Sequence, residues 1–269
     1  MTVTKDKEIH EVLYSLLKEQ NIEFFSYLDI GQLKVIQPHL MPQNAKGAFF
    51  WLVPYYTGVH ENRNVSLYAV SRDYHEFSRR TAEIILPVLA QSFPGESFCF
   101  FSDSSPVNEI DAAVKCGLGV YGKNRLLINP KYGSFVFIAS MFTSVEASKS
   151  AVLDYTNCKR LCLDCGACKA KCAFLRGETE VCYSELNQKK QLTESELSEV
   201  KSRKLRWGCD DCQEVCPMNK NVPKTPIGFF SEEMRETVTH EYLDSLSKQE
   251  FKQRAYSWRG KKVIYRNTD

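Results

Sequence analysis

The chain has 269 residues, 43% of them hydrophobic and 25% charged, with a formal net charge of +2. That length allows one large domain or two modest ones, each with a buried core, and the balance is that of an ordinary globular protein. The near-neutral charge gives no argument for nucleic acid or an anionic membrane, no apolar run approaches the ~20 residues of a membrane span, and the N-terminal MTVTKDKEIHEVLYSLL lacks the continuous apolar stretch of a signal peptide, so the expected location is the cytoplasm.

Residues 6–20 read as an amphipathic helix with Ile9, Val12, Leu13, Leu16 and Leu17 on one face. Gly47 to Tyr56, GAFFWLVPYY, is a short aromatic run that predicts a buried strand. Ser71 to Leu89 predicts a helix with an apolar stripe of Ile84, Ile85 and Val88. Phe98 to Phe101 predicts a strand that ends at the turn Asp103-Ser104-Ser105-Pro106, and Val107 to Lys115 predicts the next helix. The stretch Gly117 to Asn124 is too glycine-dense for regular structure. Leu126 to Ile128 and Ser134 to Phe142 read as strands joined by the turn Asn129-Pro130-Lys131-Tyr132-Gly133. Strands and helices alternate as far as about residue 145, which predicts an α/β domain over 1–150. Residues 151–226 form a cysteine-rich domain, short of long apolar runs and in need of inorganic staples. Residues 227–269 form a helical C-terminal tail, with a helical pattern over 231–254. The expected class is thus mixed, α+β or α/β. The tail carries Lys248, Lys252, Arg254, Arg259, Lys261, Lys262 and Arg266 against Glu250 and Asp269. It reads either as a phosphate-contacting patch or as a solvated basic helix end.

Eleven cysteines in a cytosolic chain point to metal ligation rather than disulfides. Eight fall between Cys158 and Cys212, Cys216 follows, and only Cys99 and Cys116 lie earlier. Cys162, Cys165, Cys168 and Cys172 have the spacing C-x2-C-x2-C-x3-C of bacterial ferredoxins, in which the fourth cysteine ligates the other cluster. Cys209, Cys212 and Cys216-Pro217 repeat the pattern one cysteine short. The first run ends in Cys172-Ala173, where proline is usual; that loosens a turn but removes no ligand. Two four-ligand cubes need an eighth thiolate, from Cys158 or Cys182. The assignment made here puts Cys162, Cys165, Cys168 and Cys216 on one [4Fe–4S] cluster and Cys172, Cys182, Cys209 and Cys212 on the other. The alternative is a pair of structural zinc sites, which also use C-x2-C pairs. Cys99, Cys116 and Cys158 read as buried or incidental thiols.

One ordered set of segments resembles the epoxyqueuosine reductase family. It comprises Met41-Pro42, Tyr68-Ala69 with Arg72-Asp73-Tyr74-His75, Asp103 to Val107, Ala113 to Asn124 and Tyr132-Gly133-Ser134. Both cysteine runs follow, the second with Gly208-Cys209-Asp210-Asp211-Cys212-Gln213, and then Trp258-Arg259-Gly260. Cys182-Tyr183-Ser184 falls where that family has its isolated cluster cysteine, which favours Cys182 over Cys158.

The resemblance implies a base-off cobalamin in the N-terminal α/β domain, with Arg72, Tyr74, His75, Gly117, Gly119, Gly122, Lys123, Asn124 and Ser134 as pocket residues. It implies electron transfer from a low-potential donor of the ferredoxin or flavodoxin type, through two [4Fe–4S] clusters, to the epoxide of epoxyqueuosine in tRNA. Asp103 matches the family's proposed acid, and desolvation in a corrin-roofed pocket is expected to raise its pKa. Its plain alternative is an Asx-turn residue that opens the helix at Pro106. The glycine-rich stretch fits no phosphate-loop pattern, and its alternative is a structural turn. His75 is expected in a pocket wall rather than as a cobalt ligand. The family continues into a helical-repeat domain that helps grip the anticodon arm, and this chain reads as a short form that stops near where that domain begins. A monomer is expected. Two other classes stay open: a corrinoid reductase of another substrate, such as an organohalide, and a two-cluster electron carrier, which the N-terminal motifs argue against.

Overall fold

Eight consecutive buried residues, Gly47–Pro54, form the spine of the sheet. The structure is a computed structural model that describes residues 5–146 and 162–268; Cys158 lies outside the described residues. Counted over these, the chain divides into two units, one of residues up to Pro54 with Phe77–Asp164, the other of Tyr55–Glu76 with the chain from Cys165 onward. This division departs from the expected boundaries at 150 and 226.

In the first unit, strands β1 (Phe25–Asp29), β2 (Gly47–Pro54), β3 (Phe98–Ser102) and β6 (Val136–Thr143) pair in the order β1-β2-β6-β3. Every pairing in this sheet is antiparallel. The short strands β4 (Val120–Tyr121) and β5 (Leu127–Ile128) form a separate antiparallel pair. Ala48, Phe50 and Leu52 share a core with Ala112, Ala113 and Cys116 of the helix Glu109–Lys115. The alternate residues Phe49, Trp51 and Val53 are equally buried, and the pleat sends them to the other face. The helix Lys5–Glu19 buries Ile9, Leu13 and Leu17 at a four-residue spacing, and the helix Tyr74–Ser92 buries Phe77, Thr81, Ile85 and Leu89 in the same way.

The expected elements are present, but of the expected stripe only Ile85 is buried, with Ile84 and Val88 exposed, and the sheet is α+β in character rather than α/β. A strand buried on both faces reads as a continuous apolar run whatever its direction, so the run alone does not distinguish parallel from antiparallel pairing. The turn at 129–133 closes through mutual Asn129–Gly133 backbone bonds. Its flanking strands nevertheless join different sheets.

In the second unit, Ser66 donates its N–H to the Trp207 carbonyl at 2.7 Å, and Val65 bridges Trp207. Val65, Val70, Trp207, Tyr256, Val263 and Ile264 share one core, which is why residues 55–76 group with the C-terminal half. The expected tail is part of this core. The helix Lys261–Thr268 buries Val263, Ile264 and Asn267. Asn267 Nδ2 donates to the carbonyls of Asn187 and Arg206 at 2.7 and 2.8 Å. The helical stretch expected over 231–254 is broken into His240–Ser245 and Lys248–Lys252, where Ser247 starts a new capping box. Among the described residues no helix is long and apolar enough to cross a membrane.

Candidate functional site

Within the second unit, Cys172, Cys182, Cys209 and Cys212 line one cavity of about 250 Å³. They reach it from three separate stretches. Cys172 stands between the helices Ala167–Lys171 and Ala173–Arg176. Cys182 caps the helix Tyr183–Leu186, and the Ser184 and Glu185 backbone amides point at its sulfur. Cys212 lies in the helix Asp211–Glu214, and Cys209 accepts from the Asp211 amide. The helix Ala167–Lys171 packs on Asp211–Glu214. Tyr183 forms part of the cavity wall, with its hydroxyl donating to the Leu205 carbonyl at 2.7 Å and the Arg203 guanidinium 4.1 Å from its ring centroid.

Burial pushes the Cys182 thiol up, Cys212 up to about 12 and Cys209 higher still. A metal that binds such thiols deprotonates them. The all-sulfur donor set, with backbone amides aimed at two of the sulfurs, has the chemistry of an iron–sulfur site. The sulfurs surround a cavity rather than one ion: among the described residues, no three or more His, Cys, Asp or Glu side chains are gathered to hold a single metal ion.

Of the other expected set, Cys165, Cys168 and Cys216 belong to the second unit and Cys162 to the first. Cys168 and Cys216 are buried, and Cys165 is exposed. The Lys123 amide points at the Cys162 sulfur at 3.4 Å. Cys116 is a buried thiol in the core of the first unit, and Cys99 lies on β3.

Asp103 follows β3 in the left-handed region, with φ of 60°, and Ser104 follows with φ of 38°. Two consecutive non-glycine residues there are sterically costly, and such outliers cluster at active sites. The next residues hold the turn in place: the Ile36 and Gln37 amides both donate to the Pro106 carbonyl, at 2.9 and 3.0 Å, and Gln37 Nε2 donates to the Ser105 carbonyl at 3.1 Å. The helix does not open at Pro106. It begins at Glu109, and its cap is Asn108, whose Oδ1 accepts the Asp111 amide at 3.0 Å. Asp103 is therefore not the residue that opens this helix. Asp103 itself is exposed. The raised carboxyl in this region is Glu109, pushed up to about 8 by burial and then by the neighbouring Asp103 charge.

The cobalamin candidates divide between the units: 117–124 and Ser134 in the first, Arg72, Tyr74 and His75 in the second. Gly117, with φ of 72°, terminates the helix Glu109–Lys115. A Cβ on Gly119 would lie 2.4 Å from the Ile128 carbonyl oxygen, and one on Gly122 would lie 2.4 Å from Asn124 Oδ1. The chain's own packing thus accounts for both glycines. Asn124 is buried, its Oδ1 accepts the Leu126 amide at 3.2 Å, and its shielded Nδ2 has no hydrogen-bond partner among the described residues. Lys123 is exposed, 3.6 Å from Asp164. Ser134 is buried. Arg72 is buried in an ion-pair hub with Glu76 at 2.7 Å and Glu232 at 3.5 Å. His75 is exposed and bonded to Asp73 at 2.8 Å, and Tyr74 stacks loosely on the His75 ring.

Two features escape a reading of the sequence. Glu109 carries no motif, and only its place just after a capping asparagine marks it. Asp210, inside the second cysteine run, is fully buried. Its Oδ2 accepts the Leu67 amide at 2.7 Å and pairs with Arg63 Nη1 at 2.9 Å. Arg63 also pairs with Glu214 and donates to the Val65 carbonyl. Burial lifts the Asp210 carboxyl to about 6.

No protein-family model matches the chain. Among curated proteins it is 33% identical over 210 residues to an epoxyqueuosine reductase of Listeria monocytogenes, an alignment that covers 72% of this chain and 53% of the relative. The chain spans about half the length of the first such relatives it matches. A crystal structure of an epoxyqueuosine reductase superposes with a TM-score of 0.77 at 21% identity, covering 97% of this chain and 80% of that one. Another, solved with an epoxyqueuosine-modified tRNA stem loop, superposes with a TM-score of 0.73 at 21% identity, with the same coverage. The mixed helix and sheet fold is shared with these structures, and the chain belongs to the epoxyqueuosine reductase family.

Proposed function

We propose that the chain is a cobalamin- and iron–sulfur-dependent oxidoreductase that reduces epoxyqueuosine in tRNA to queuosine. The observation that carries this reading is the convergence of Cys172, Cys182, Cys209 and Cys212 on one cavity in a chain of this family. In this reading they hold one [4Fe–4S] cluster, and Cys162, Cys165, Cys168 and Cys216 hold a second. The amides aimed at Cys182 and Cys209 temper the negative charge of their thiolates, one of the ways a protein sets cluster potential.

In the first unit, Asn124 is the candidate with a shielded amide donor to spare for a cobalamin substituent. Bound and reduced, cobalamin supplies the low-potential electrons that an epoxide requires. Asp103 protonates the departing oxygen, because an alkoxide is a poor leaving group. The strained turn holds its carboxyl on a short tether after β3. A low-potential ferredoxin- or flavodoxin-type donor refills the clusters. The related protein solved with a tRNA stem loop supports tRNA as the substrate carrier. Lys261, Lys262 and Arg266 line a groove of about 490 Å³ with Tyr265 and Asp244, which pairs with Lys261 at 3.1 Å, and in this reading the remaining positive charge meets backbone phosphates. The chain acts as a monomer in the cytoplasm in this reading.

The test is anaerobic reconstitution followed by turnover. The protein should bind about eight irons with matching sulfide and convert added cob(II)alamin to the base-off EPR form. With a chemical reductant it should remove one oxygen from an epoxyqueuosine-containing anticodon stem loop, read by mass spectrometry of the nucleoside. A zinc-loaded, sulfide-free protein, or a fully loaded one that leaves the stem loop unchanged, overturns the proposal.

A further inference from the structure

The second cysteine run carries a carboxyl group between two of its cysteines. Asp210 directly follows Cys209, stands two residues before Cys212, and is wholly buried. Burying a carboxylate is costly, and an apolar side chain of similar volume often serves stability as well or better. Stability alone therefore does not account for an aspartate at this position.

We propose that Asp210 is a positioning residue for Cys209 and Cys212, a buried anchor that fixes their turn against the segment 63–67; this rests on the reading of those cysteines as cluster ligands. The anchor has two ends. On the main chain, the Asp210 carbonyl accepts the Gln213 and Glu214 amides, both at 2.8 Å, and so closes the turn that carries Cys212. On the side chain, Oδ2 accepts the Leu67 amide at 2.7 Å and meets Arg63 Nη1 at 2.9 Å. The Leu67 amide opens the short helix Leu67–Val70, whose N-cap Ser66 makes no side-chain cap bond. Asp210 supplies the missing acceptor from 143 residues along the chain. Arg63 is itself held, by the Val65 carbonyl at 2.7 Å and by Glu214. The backbone on the other side of Cys209 is pinned as well. The Ser66 amide donates to the Trp207 carbonyl at 2.7 Å, and Gly208 exchanges hydrogen bonds with the Asn187 side chain at 2.8 and 3.1 Å. At Gly208, with φ of 69°, an added Cβ would lie 2.1 Å from Ser66 Oγ. Cys209 thus stands between two fixed neighbours, and Cys212 sits in a turn tied to one of them. An apolar side chain at 210 could not do this, because both the amide and the guanidinium require an acceptor. Groups placed behind metal ligands in this way set the direction from which the ligands approach.

The experiment uses the full chain, reconstituted anaerobically with iron and sulfide, and reads the iron rather than turnover. Asp210→Ala removes the anchor, whereas Asp210→Asn keeps an oxygen for the Leu67 amide. Leu67→Pro removes the donor from the opposite side without touching the cysteine run. Proline fits there, at the first position of a helix and after an extended residue, Ser66 with ψ of 156°. In Asp210→Ala and in Leu67→Pro, about four of about eight irons should change their Mössbauer parameters. The same irons should be lost to a chelator about 10- to 100-fold faster than in the wild type. Asp210→Asn should keep the wild-type spectrum and most of the retention. An unchanged spectrum and unchanged retention in either folded variant, Asp210→Ala or Leu67→Pro, overturns the proposal. So does an Asp210→Asn variant as damaged as Asp210→Ala, which would assign the effect to charge rather than to anchoring. Where Asp210→Ala fails to fold by circular dichroism, Leu67→Pro against the wild type carries the test. A wild-type chain that takes up no iron with sulfide refutes the cluster reading itself, and the anchor with it.

Discussion

In the first unit, β2 is buried along its whole length and Phe50, Leu52, Phe142 and Val107 fill one side of the sheet with carbon. Around the cysteine cavity the apolar cluster comprises, among the described residues, Tyr183, Leu186 and Val200 as buried members. Buried polar side chains do the joining there: Asn187 exchanges hydrogen bonds with Gly208, Asn267 ties Asn187 to Arg206, and Asp210 holds Arg63 and Leu67. A carbon core is tolerant, because volume-conserving changes cost little. A polar network is brittle, since removing one member strands its partner in a low dielectric. The first unit thus rests on one carbon core, whereas in the second the carbon core around Trp207 and Tyr256 is joined to the cysteine region by polar ties.

On the iron–sulfur reading proposed above, the largest test of that contrast is removal of the clusters. Metal binding to a site absent from the unfolded chain enters folding energy directly. After oxidative chelation, amides in 183–212 should lose most of their hydrogen-exchange protection while those of β2 and β6 keep theirs. Equal loss in both would erase the contrast. A finer form uses single cysteines: Cys182→Ser should remove about four of about eight irons, whereas Cys158→Ser should remove none. The reverse pattern would move the eighth ligand to Cys158.

Next in size is the buried ion pair. Arg63→Met leaves Asp210 without its cation, and breaking such a pair costs about 3–5 kcal/mol. Denaturant unfolding followed at Trp207, which shares a core with Val65, would measure it. Arg63→Met combined with Asp210→Leu should cost clearly less than Arg63→Met alone, since no stranded charge remains. A double variant worse than the single one would mean that the pair contributes net stability.

These two tests fall on residues of unequal visibility in the sequence. Cys172, Cys209 and Cys212 were legible because the spacing of thiolates is itself the chemistry, whereas spacing left Cys182 level with Cys158 and the family resemblance favoured it. The helix over 6–20 was legible because one-sided burial imposes a period, and the strand over 47–56 because burial on both faces leaves an unbroken apolar run. Strand direction was not, since a strand covered on both faces reads the same either way. The strand Phe25–Asp29 was not expected, for its five residues carry too short a pattern. Arg63 and Asp210 were invisible: a buried charge is defined by a partner far along the chain, and no spacing announces it. Gly119 and Gly122 stood out as glycines, but only the structure shows that their need for no side chain comes from Ile128 and Asn124.

A smaller effect is expected at Asn267. Truncation to alanine removes the donor shared by the Asn187 and Arg206 carbonyls and the acceptor used by Arg266 at 2.9 Å. Leaving buried groups unsatisfied costs about 1–3 kcal/mol. The loss should appear in chemical denaturation of the second unit, with hydrogen exchange in β2 unchanged. A neutral result would mean that water replaces the amide, and that this polar tie is less brittle than its burial suggests.

The smallest effect tests whether the helix beside the cavity depends on the proposed cluster or on itself. Glu194–Ser202 begins with a full capping box: Thr193 accepts the Glu196 amide at 3.3 Å, and Glu196 accepts the Thr193 amide at 2.8 Å. Glu196 also pairs with Lys189 at 2.7 Å, and this bond, before the Thr193 amide, pulls its carboxyl down to about 2. A carboxylate with a lowered pKa adds stability above its unfolded value of about 4.3 and loses it as pH falls toward the folded value. The box should therefore hold at neutral pH and weaken in one half between about pH 4 and 2. Thr193→Ala removes the other half at any pH and should cost about 1 kcal/mol, with Thr193→Ser restoring most of it. Iron content should not change, because the cap lies outside the four cysteine positions. If Thr193→Ala loses iron, the helix and the cluster fold as one, and the polar ties and the metal are parts of a single cooperative unit.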